Sequence, residues 1–299
     1  MMSDNDKTLN EIVSALLAER KRDYRNKLIL RSLFVLTIIF IILFAPMAKD
    51  INFSNPHIAL IEVNGLISSE TQSSAEKIIP LLHQASENDN ASAIIIKINS
   101  GGGSATQSKI IFDEIIKIKS VSDKKIISVI EDVGASGGYY IAMAADQIIA
   151  SETSIVGSIG VRLDSYDVRQ LFNNLGIKPR TIYSGENKLI LDPFHELTSK
   201  QYNHVKSLTD EIHAQFINDL KNSRKDKINP DNKLIYSGLF YTGTQAKKLG
   251  LVDDISSIYE LTNEKYENMI IQKYNSENNL IDQFIQTSFH YLLQSKINY

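Results

Sequence analysis

The sequence contains no cysteine and no tryptophan, and only 6 of its 299 residues are proline. The absence of cysteine excludes disulfide bonds, thiol nucleophiles and cysteine-ligated metal sites. Charge of one sign is not in excess either, because 32 Lys and Arg residues are balanced by 35 Asp and Glu residues. A protein dedicated to nucleic acid is normally basic, so we expect no nucleic-acid partner.

The remaining composition is that of an ordinary globular protein. Hydrophobic residues make up 43% of the chain and charged residues 22%. These fractions exclude collagen-like and intrinsically disordered classes. A length of 299 residues allows one large domain or two modest ones.

One apolar segment, residues 28–48, departs from this average. Twenty helical residues at ~1.5 Å each span about 30 Å, the thickness of the hydrocarbon core of a bilayer. Basic residues are concentrated before its apolar core, and Lys49 is the only one that closely follows it. A cleaved signal peptide fits less well, because the preceding polar stretch is about 30 residues long.

The distribution of basic residues also predicts an orientation. By the positive-inside rule, residues 1–27 lie in the cytoplasm and residues 28–48 form a single-pass signal anchor in contact with membrane lipid. The rest of the chain is then expected beyond this membrane, on the periplasmic or extracytoplasmic side.

Downstream of residue 56, short β-branched runs alternate with stretches of helical period. Strands are predicted at 58–63, 93–98, 125–130, 147–150 and 180–183, and helices at 74–87, 105–118 and 199–223. This alternation is typical of an α/β domain with a mostly parallel sheet, which we place at 56–272, followed by an amphipathic C-terminal helix at 273–299. Sites in such domains lie at the C-terminal ends of strands, which here are the loops after Ile98 and Ile130.

Two glycine-rich turns lie at these strand ends. The first, Asn99–Ser104, contains three consecutive glycines, which let the backbone approach a ligand and present N–H groups to an anion. It lacks the Gly-Lys-Ser/Thr ending of a phosphate-binding loop. The second, Val133–Tyr140, places Ser136 between a strand and a helix. Ser136 is either an ordinary helix N-cap or the nucleophile of a sharp elbow, in which the Gly137 N–H stabilises an oxyanion.

A serine nucleophile needs a base, and two kinds of base remain open. His195 lies in a loop, where a Ser-His-Asp triad is possible, whereas His204 and His213 are placed on an exposed helix. Lys188 is the other candidate, although a lone loop lysine is normally a solvated surface charge. The sequence has no His-Glu-x-x-His zinc motif, and no metal or other cofactor is expected.

Three ordered motifs resemble one known family. Residues 135–146 (ASGGYYIAMAAD), 156–161 (VGSIGV) and 242–253, which ends in LGLVD, are similar to the signal peptide peptidase A (protease IV) family. The resemblance covers about 58–254. It implies a ClpP/crotonase-like fold of repeated ββα-type units behind an N-terminal transmembrane helix.

The resemblance also implies an activity and a site. Members of the family are membrane-anchored serine endopeptidases that use a Ser/Lys dyad and an acyl-enzyme, without a cofactor. Carried over by motif, Ser136 is the nucleophile, Lys188 the general base and Ser158 the hydroxyl that orients the lysine. The oxyanion donors are Gly137 and Gly103 (or Gly102), and substrate contacts are expected at Gly101, Gly102 and Tyr139. The family's first turn usually has proline where this chain has Gly101, which leaves the loop less rigid.

The implied partners are peptide substrates, among them remnant signal peptides and unfolded segments, and further copies of the chain. Family members form homo-oligomers, in which the serine and the lysine can come from adjacent protomers. Two rival functions remain open at this point. One is an acyl-CoA enzyme of the same fold, and the other is a catalytically inactive, membrane-tethered scaffold.

Overall fold

A computed structural model of the chain describes residues 4–44, 55–267 and 269–275. Contacts divide the chain into two units, with the boundary after Ser54. The described part of the first unit is one helix, α1 (Asp4–Phe44). None of the helices in the described ranges is both long enough and apolar enough to cross a membrane. The anchor predicted at 28–48 is therefore not confirmed, and its residues 45–48 lie outside the described part.

The second unit, from Asn55 onward, is a mixed α/β domain. Its strands and helices are β1 (His57–Asn64), α2 (Ala75–Glu87), β2 (Ala91–Ser100), α3 (Ala105–Val121), β3 (Lys125–Ala135), α4 (Gly137–Ala142), β4 (Gln147–Ala150), β5 (Ile155–Gly157), α5 (Arg169–Asn174), α6 (Ser199–Arg224), β6 (Phe240–Thr242), α7 (Gly243–Lys248), β7 (Asp254–Ile255), α8 (Ile258–Lys265) and β8 (Ile270–Tyr274).

One sheet, in the order β6-β5-β3-β2-β1-β8, runs through this unit. All its pairings are parallel except β5 with β6, which is antiparallel. β3 pairs with β4 through its first half and with β5 through its last three residues. The end of β3 therefore lies between the ends of β2 and β5, where the two predicted glycine turns meet.

Helices cover both faces of the sheet, because alternate side chains of each strand point to opposite faces. Ile94 and Ile96 of β2 belong to the larger core beneath α2 and α3, whereas Ile95 belongs to a smaller core under α8. Each of these three isoleucines is fully buried. The β-branched runs read from the sequence are thus central strands of a two-sided sheet, as predicted.

Three of the sequence predictions need correction. Single strands alternate with helices from β1 to β4, so repeated ββα units do not describe this half of the domain. No strand forms at 180–183, where Ile182 is fully exposed and no described strand pairs with it. Lys273 and Tyr274 belong to β8, so the C-terminal helix cannot begin at 273; residues 276–299 lie outside the described part.

Candidate active site

A cavity of about 1210 Å³ opens at the C-terminal ends of β2, β3 and β5. Backbone and small side chains at these strand ends form one wall of the cavity, and side chains of α6 form the opposite wall. Its lining residues include Gly101, Gly102, Gly103, Ser136, Gly137 and Ser158. All six were predicted as site residues, and the fold brings them to one place.

Ser136 has the geometry of a nucleophile elbow. Its φ is 52° and its ψ is −120°, a backbone conformation that L-residues rarely adopt. It occupies the N-cap position of α4, but its side chain makes no capping hydrogen bond. The N-cap side chain of Ser104 on α3, by contrast, accepts a hydrogen bond from the helix backbone. Among the described residues the Ser136 hydroxyl does not bond to its own helix, so the ordinary N-cap interpretation is wrong.

Two backbone N–H groups beside Ser136 suit an oxyanion. Gly102 N–H donates to the Ser100 hydroxyl at 3.1 Å, so it is already used. In the described part of the chain, the N–H groups of Gly103 and Gly137 donate no hydrogen bond. A Cβ on Gly102, whose φ is +99°, would lie 2.6 Å from the Gly137 nitrogen. Glycine at 102 thus lets the two loops approach closely enough for both donors to face one cavity.

Ser158 lies next to Ser136 because β5 pairs with the end of β3. Ala135 is opposite Gly157 in this pairing, and the Ser136 N–H donates to the Gly157 carbonyl at 2.8 Å. Ser158 also has positive φ, 53°, and lines the same cavity. The two serines are therefore held at adjacent strand ends.

The fold does not bring Lys188 to this cavity within one chain. Lys188 is exposed and does not line the cavity. It lies in a turn, where its N–H donates to the Gly185 carbonyl at 3.0 Å. It belongs to residues 162–198, here called the arm, in which no side chain is fully buried.

His195, the alternative base, lies on the same arm and also outside the cavity. Its Nδ1 lies 2.9 Å from the Asp192 carboxylate. The hydrogen bond with His195 lowers the pKa of the Asp192 carboxyl. A Ser-His-Asp triad with Ser136 is therefore not formed within one chain.

Tyr140, rather than Tyr139, lines the cavity. Tyr139 is fully buried and its hydroxyl donates to the Leu251 carbonyl at 2.8 Å. Tyr140 is one helical turn beyond Ser136, and its N–H donates to the Ser136 carbonyl at 2.9 Å. Adjacent helical residues point in directions about 100° apart, so only one tyrosine can face the cavity. Tyr139 therefore does not face the cavity in which we expected it to contact substrate.

A buried ionic cluster lies behind Tyr140. The Tyr140 hydroxyl donates to the carboxylate of Asp219, and burial together with this bond raises the pKa of Tyr140 well above its usual value. Asp219 is 8% exposed, accepts from Gln215 Nε2 at 3.0 Å and lies 3.5 Å from Lys109 Nζ. The cluster joins α4, which has Ser136 at its N-cap position, to α6 and α3.

Sequence reasoning missed the contribution of α6 to the cavity. Leu208, Ile212 and Phe216, each four residues apart, line the cavity together with His213. His213 Nε2 lies 3.1 Å from the Ile159 carbonyl oxygen, so it is not the exposed histidine that we expected. The spacing of 208, 212 and 216 marks a helical stripe that could have identified this face.

No group of three or more His, Asp or Glu side chains in the described residues is arranged to hold a metal ion.

Two family models match the sequence. The model of peptidase family S49 matches residues 119–271, and a Clp protease model matches residues 61–156. The first match covers half of the chain and includes Ser136, Ser158 and Lys188. The second includes the strands and glycine turns that form the other side of the cavity.

Individual relatives match over parts of their length. The Na(+)/H(+) antiporter NhaA of Brucella melitensis is 41% identical over 186 residues, 62% of this chain and 25% of that protein. A candidate protease of Synechocystis sp., slr0021, is 33% identical over 67% of this chain and 70% of that protein. Protease 4 of Haemophilus influenzae is 30% identical over 72% of this chain and 35% of that protein. The chain thus spans a quarter of the length of the first of these relatives.

Proposed function

Because the chain belongs to peptidase family S49, we propose that it is a serine endopeptidase in which Ser136 is the nucleophile and Lys188 the general base. The observation that carries this proposal is the backbone strain at Ser136, whose side chain does not cap α4 and which lies beside the N–H groups of Gly103 and Gly137. An N-cap serine with only a structural role would bond to its own helix. Ser/Lys chemistry needs no metal or organic cofactor.

The proposed reaction is acyl transfer. The neutral amine of Lys188 takes the proton of the Ser136 hydroxyl, and the oxygen attacks the carbonyl carbon of the scissile peptide bond. The N–H groups of Gly103 and Gly137 stabilise the oxyanion. The C–N bond then breaks, the lysine gives its proton to the leaving amine, and an ester remains on Ser136. Water, deprotonated by the same amine, hydrolyses this ester.

We further propose that the lysine acts on the serine of a neighbouring protomer. A lysine serves as a base only if it is held neutral near pH 7, which requires apolar surroundings. Lys188 is exposed and outside the cavity of its own chain. Within one copy, Lys188 therefore neither contacts Ser136 nor is removed from water. Both become possible if the arm enters the cavity of a second copy.

The surface of the arm supports this proposal. Large apolar side chains that pack poorly in one copy are typical of protein–protein contacts. Those on the arm that are at least half exposed are Leu163, Tyr166, Leu171, Leu175, Ile182 and Tyr183. A homo-oligomer in which the arm lies on a neighbour would remove these side chains and Lys188 from water together.

The first test is labelling with a fluorophosphonate, a probe that reacts only with an activated serine. We expect one adduct, located at Ser136 by mass spectrometry. Ser136→Ala should abolish labelling, and both Ser136→Ala and Lys188→Ala should reduce peptide hydrolysis by at least ~10³-fold. Lys109→Ala, which changes a lysine bound to Asp113 and Asp219, should retain activity.

The same experiment separates the rival functions. An acyl-CoA enzyme or an inactive scaffold would give no adduct and no peptide hydrolysis. His195→Ala is a matched arm variant, because His195 lies on the arm but has no role in the dyad. Loss of hydrolysis in His195→Ala with retention in Lys188→Ala would make histidine the base and contradict the proposed dyad.

For substrates, we propose extended peptides with apolar side chains, among them remnant signal peptides. The exposed side chains of Leu66, Leu208 and Ile212 line the cavity, and burying such surface favours binding by about 25 cal/mol per Å². Peptides with leucine near the scissile bond should have a higher kcat/KM than matched peptides with aspartate. Equal values for the two sets would contradict this proposal.

The location of the domain stays a proposal from the sequence, with the catalytic part beyond the inner membrane. Alkaline phosphatase is active only outside the cytoplasm, so its fusion after Asp50 tests the point. We expect an active fusion. An inactive phosphatase, with an active cytoplasmic reporter at the same position, would contradict the location.

A further inference from the structure

The Ser158 turn is held by three hydrogen bonds. The Ser158 N–H donates to the Leu239 carbonyl at 2.8 Å, and the next carbonyl, of Ile159, accepts from the Gly238 N–H at 3.1 Å. The third bond joins the same Ile159 oxygen to His213 Nε2, also at 3.1 Å. Two of the three partners come from the loop before β6, and the third is a side chain of α6.

This turn needs external support. Ser158 has a φ of 53°, a left-handed conformation that is uncommon and unfavourable for a non-glycine residue. Such a conformation persists only where its surroundings fix it. His213 supplies the one side-chain hydrogen bond to the turn that the described residues contain.

The direction of this bond is fixed by chemistry. A carbonyl oxygen only accepts hydrogen bonds, so His213 carries its hydrogen on Nε2 and donates. The ring is partly buried and lines the cavity together with Ser136 and Ser158. Because Nε2 is used in this bond, it is not available to take a proton from Ser136.

We propose that His213 is a positioning residue for the peptidase reaction. Through the Ile159 carbonyl, it holds the Ser158 turn in the conformation that presents the Ser158 hydroxyl to the incoming Lys188. The inference rests on the proposed function, in which Ser158 orients the lysine. His213 would then affect the chemical step more than the binding of peptide.

The test is a double-mutant cycle on the full chain, with steady-state peptide hydrolysis as the readout. His213→Ala should lower kcat about tenfold and leave KM within about twofold. His213→Gln keeps an N–H donor near the position of Nε2 and should restore kcat to within about threefold of wild type. His204→Ala, an exposed histidine of the same helix, is the matched control and should have no effect.

The cycle partner is Ser158→Ala. If His213 acts through Ser158, adding His213→Ala to Ser158→Ala should cause no further loss beyond about twofold. Additive losses, a failure of His213→Gln to rescue, or an effect on KM alone would overturn the inference. If His213→Ala does not fold, the pair His213→Gln and His213→Asn, whose shorter amide cannot reach Ile159, gives the same comparison.

These outcomes are distinct from a failure of the proposed function. If Ser136→Ala retains hydrolysis, the dyad itself is wrong. If Ser136→Ala is inactive but the losses in the cycle are additive, only the role of His213 is wrong.

Discussion

At the scale of single residues, the site depends on two strained serines held by backbone hydrogen bonds. Ser136 and Ser158 have φ values of 52° and 53°. Each N–H is fixed at 2.8 Å by a carbonyl, that of Gly157 and that of Leu239. In the proposed reaction both hydroxyls would thus be positioned before substrate arrives, so that less conformational entropy is lost.

Gly102 gives a prediction at this scale. A Cβ there would lie 2.6 Å from the Gly137 nitrogen and 2.8 Å from the Ser136 Cβ, so Gly102→Ala must push the two loops apart. Displacing one oxyanion donor typically lowers kcat by about 10²–10³-fold. We expect a loss of this order in peptide hydrolysis.

The control for Gly102 is Gly176→Ala. Gly176 also has positive φ, +70°, but a Cβ there meets nothing within 4 Å. This variant carries the positive-φ strain without the close contact. Because Gly176 lies on the arm, the oligomeric state of the variant is measured first, and with the assembly intact it should keep its kcat. Equal losses in the two variants would mean that strain, and not the position of the donors, explains the effect.

At the scale of elements, the C-terminal end of α6 is fixed by a buried arginine. Arg224 is 2% exposed and donates to the Gly250 carbonyl and to both carboxylate oxygens of Asp253. Burial alone would raise the pKa of Asp253, but hydrogen bonds from Arg224 and Lys227 outweigh it and lower this pKa. The same helix lines the cavity, so this anchor also supports the site.

The lowered pKa of Asp253 predicts how stability depends on pH. A carboxyl whose folded pKa lies below its unfolded value stabilises the fold at higher pH. Its contribution is present above the usual Asp value of 3.8 and is lost as pH falls through the folded pKa. Asp253→Asn should lower the free energy of unfolding at pH 7 by about 3 kcal/mol. It should also flatten the acid limb in urea titrations between about pH 5 and 2.

Asp210→Asn is the control for Asp253. Asp210 is on α6 and pairs with Lys206 on the surface, with 59% of its side chain exposed. An exposed pair contributes about 0.5 kcal/mol or less. A similar loss in both variants would contradict the special role of the buried pair.

Secondary-structure elements were predictable from the sequence where burial determines which residue types are used. The isoleucine-rich run of β2 is buried on both faces, so its β-branched residues indicated a central strand correctly. The run at 180–183 also contains residues that favour strands, Thr181, Ile182 and Tyr183, but no described strand pairs with it, and Ile182 is fully exposed. The choice between Tyr139 and Tyr140 depends on the rotation of one short helix, which the glycine motif alone does not specify.

At the scale of the whole molecule, one chain provides only part of the proposed site. The glycine turns and Ser136 could be placed from the sequence because parallel strands bring their C-terminal ends to one edge, whereas Ser158 was indicated by the family resemblance alone. The position of Lys188 could not, because the arm makes few contacts that fix it in one copy. The family resemblance indicated Lys188 as the lysine to consider, but the packing of one chain does not bring Lys188 next to Ser136.

Mixing two inactive variants tests this account most directly. Ser136→Ala and Lys188→Ala chains are purified separately, mixed under conditions that allow exchange of protomers, and assayed for peptide hydrolysis. If the dyad forms between neighbours, some contacts in the mixture join an intact serine to an intact lysine. We predict that activity returns to a substantial fraction of wild type, with the fluorophosphonate adduct only on the Lys188→Ala chain. A mixture that stays as inactive as its components, although exchange is demonstrated, would contradict the account.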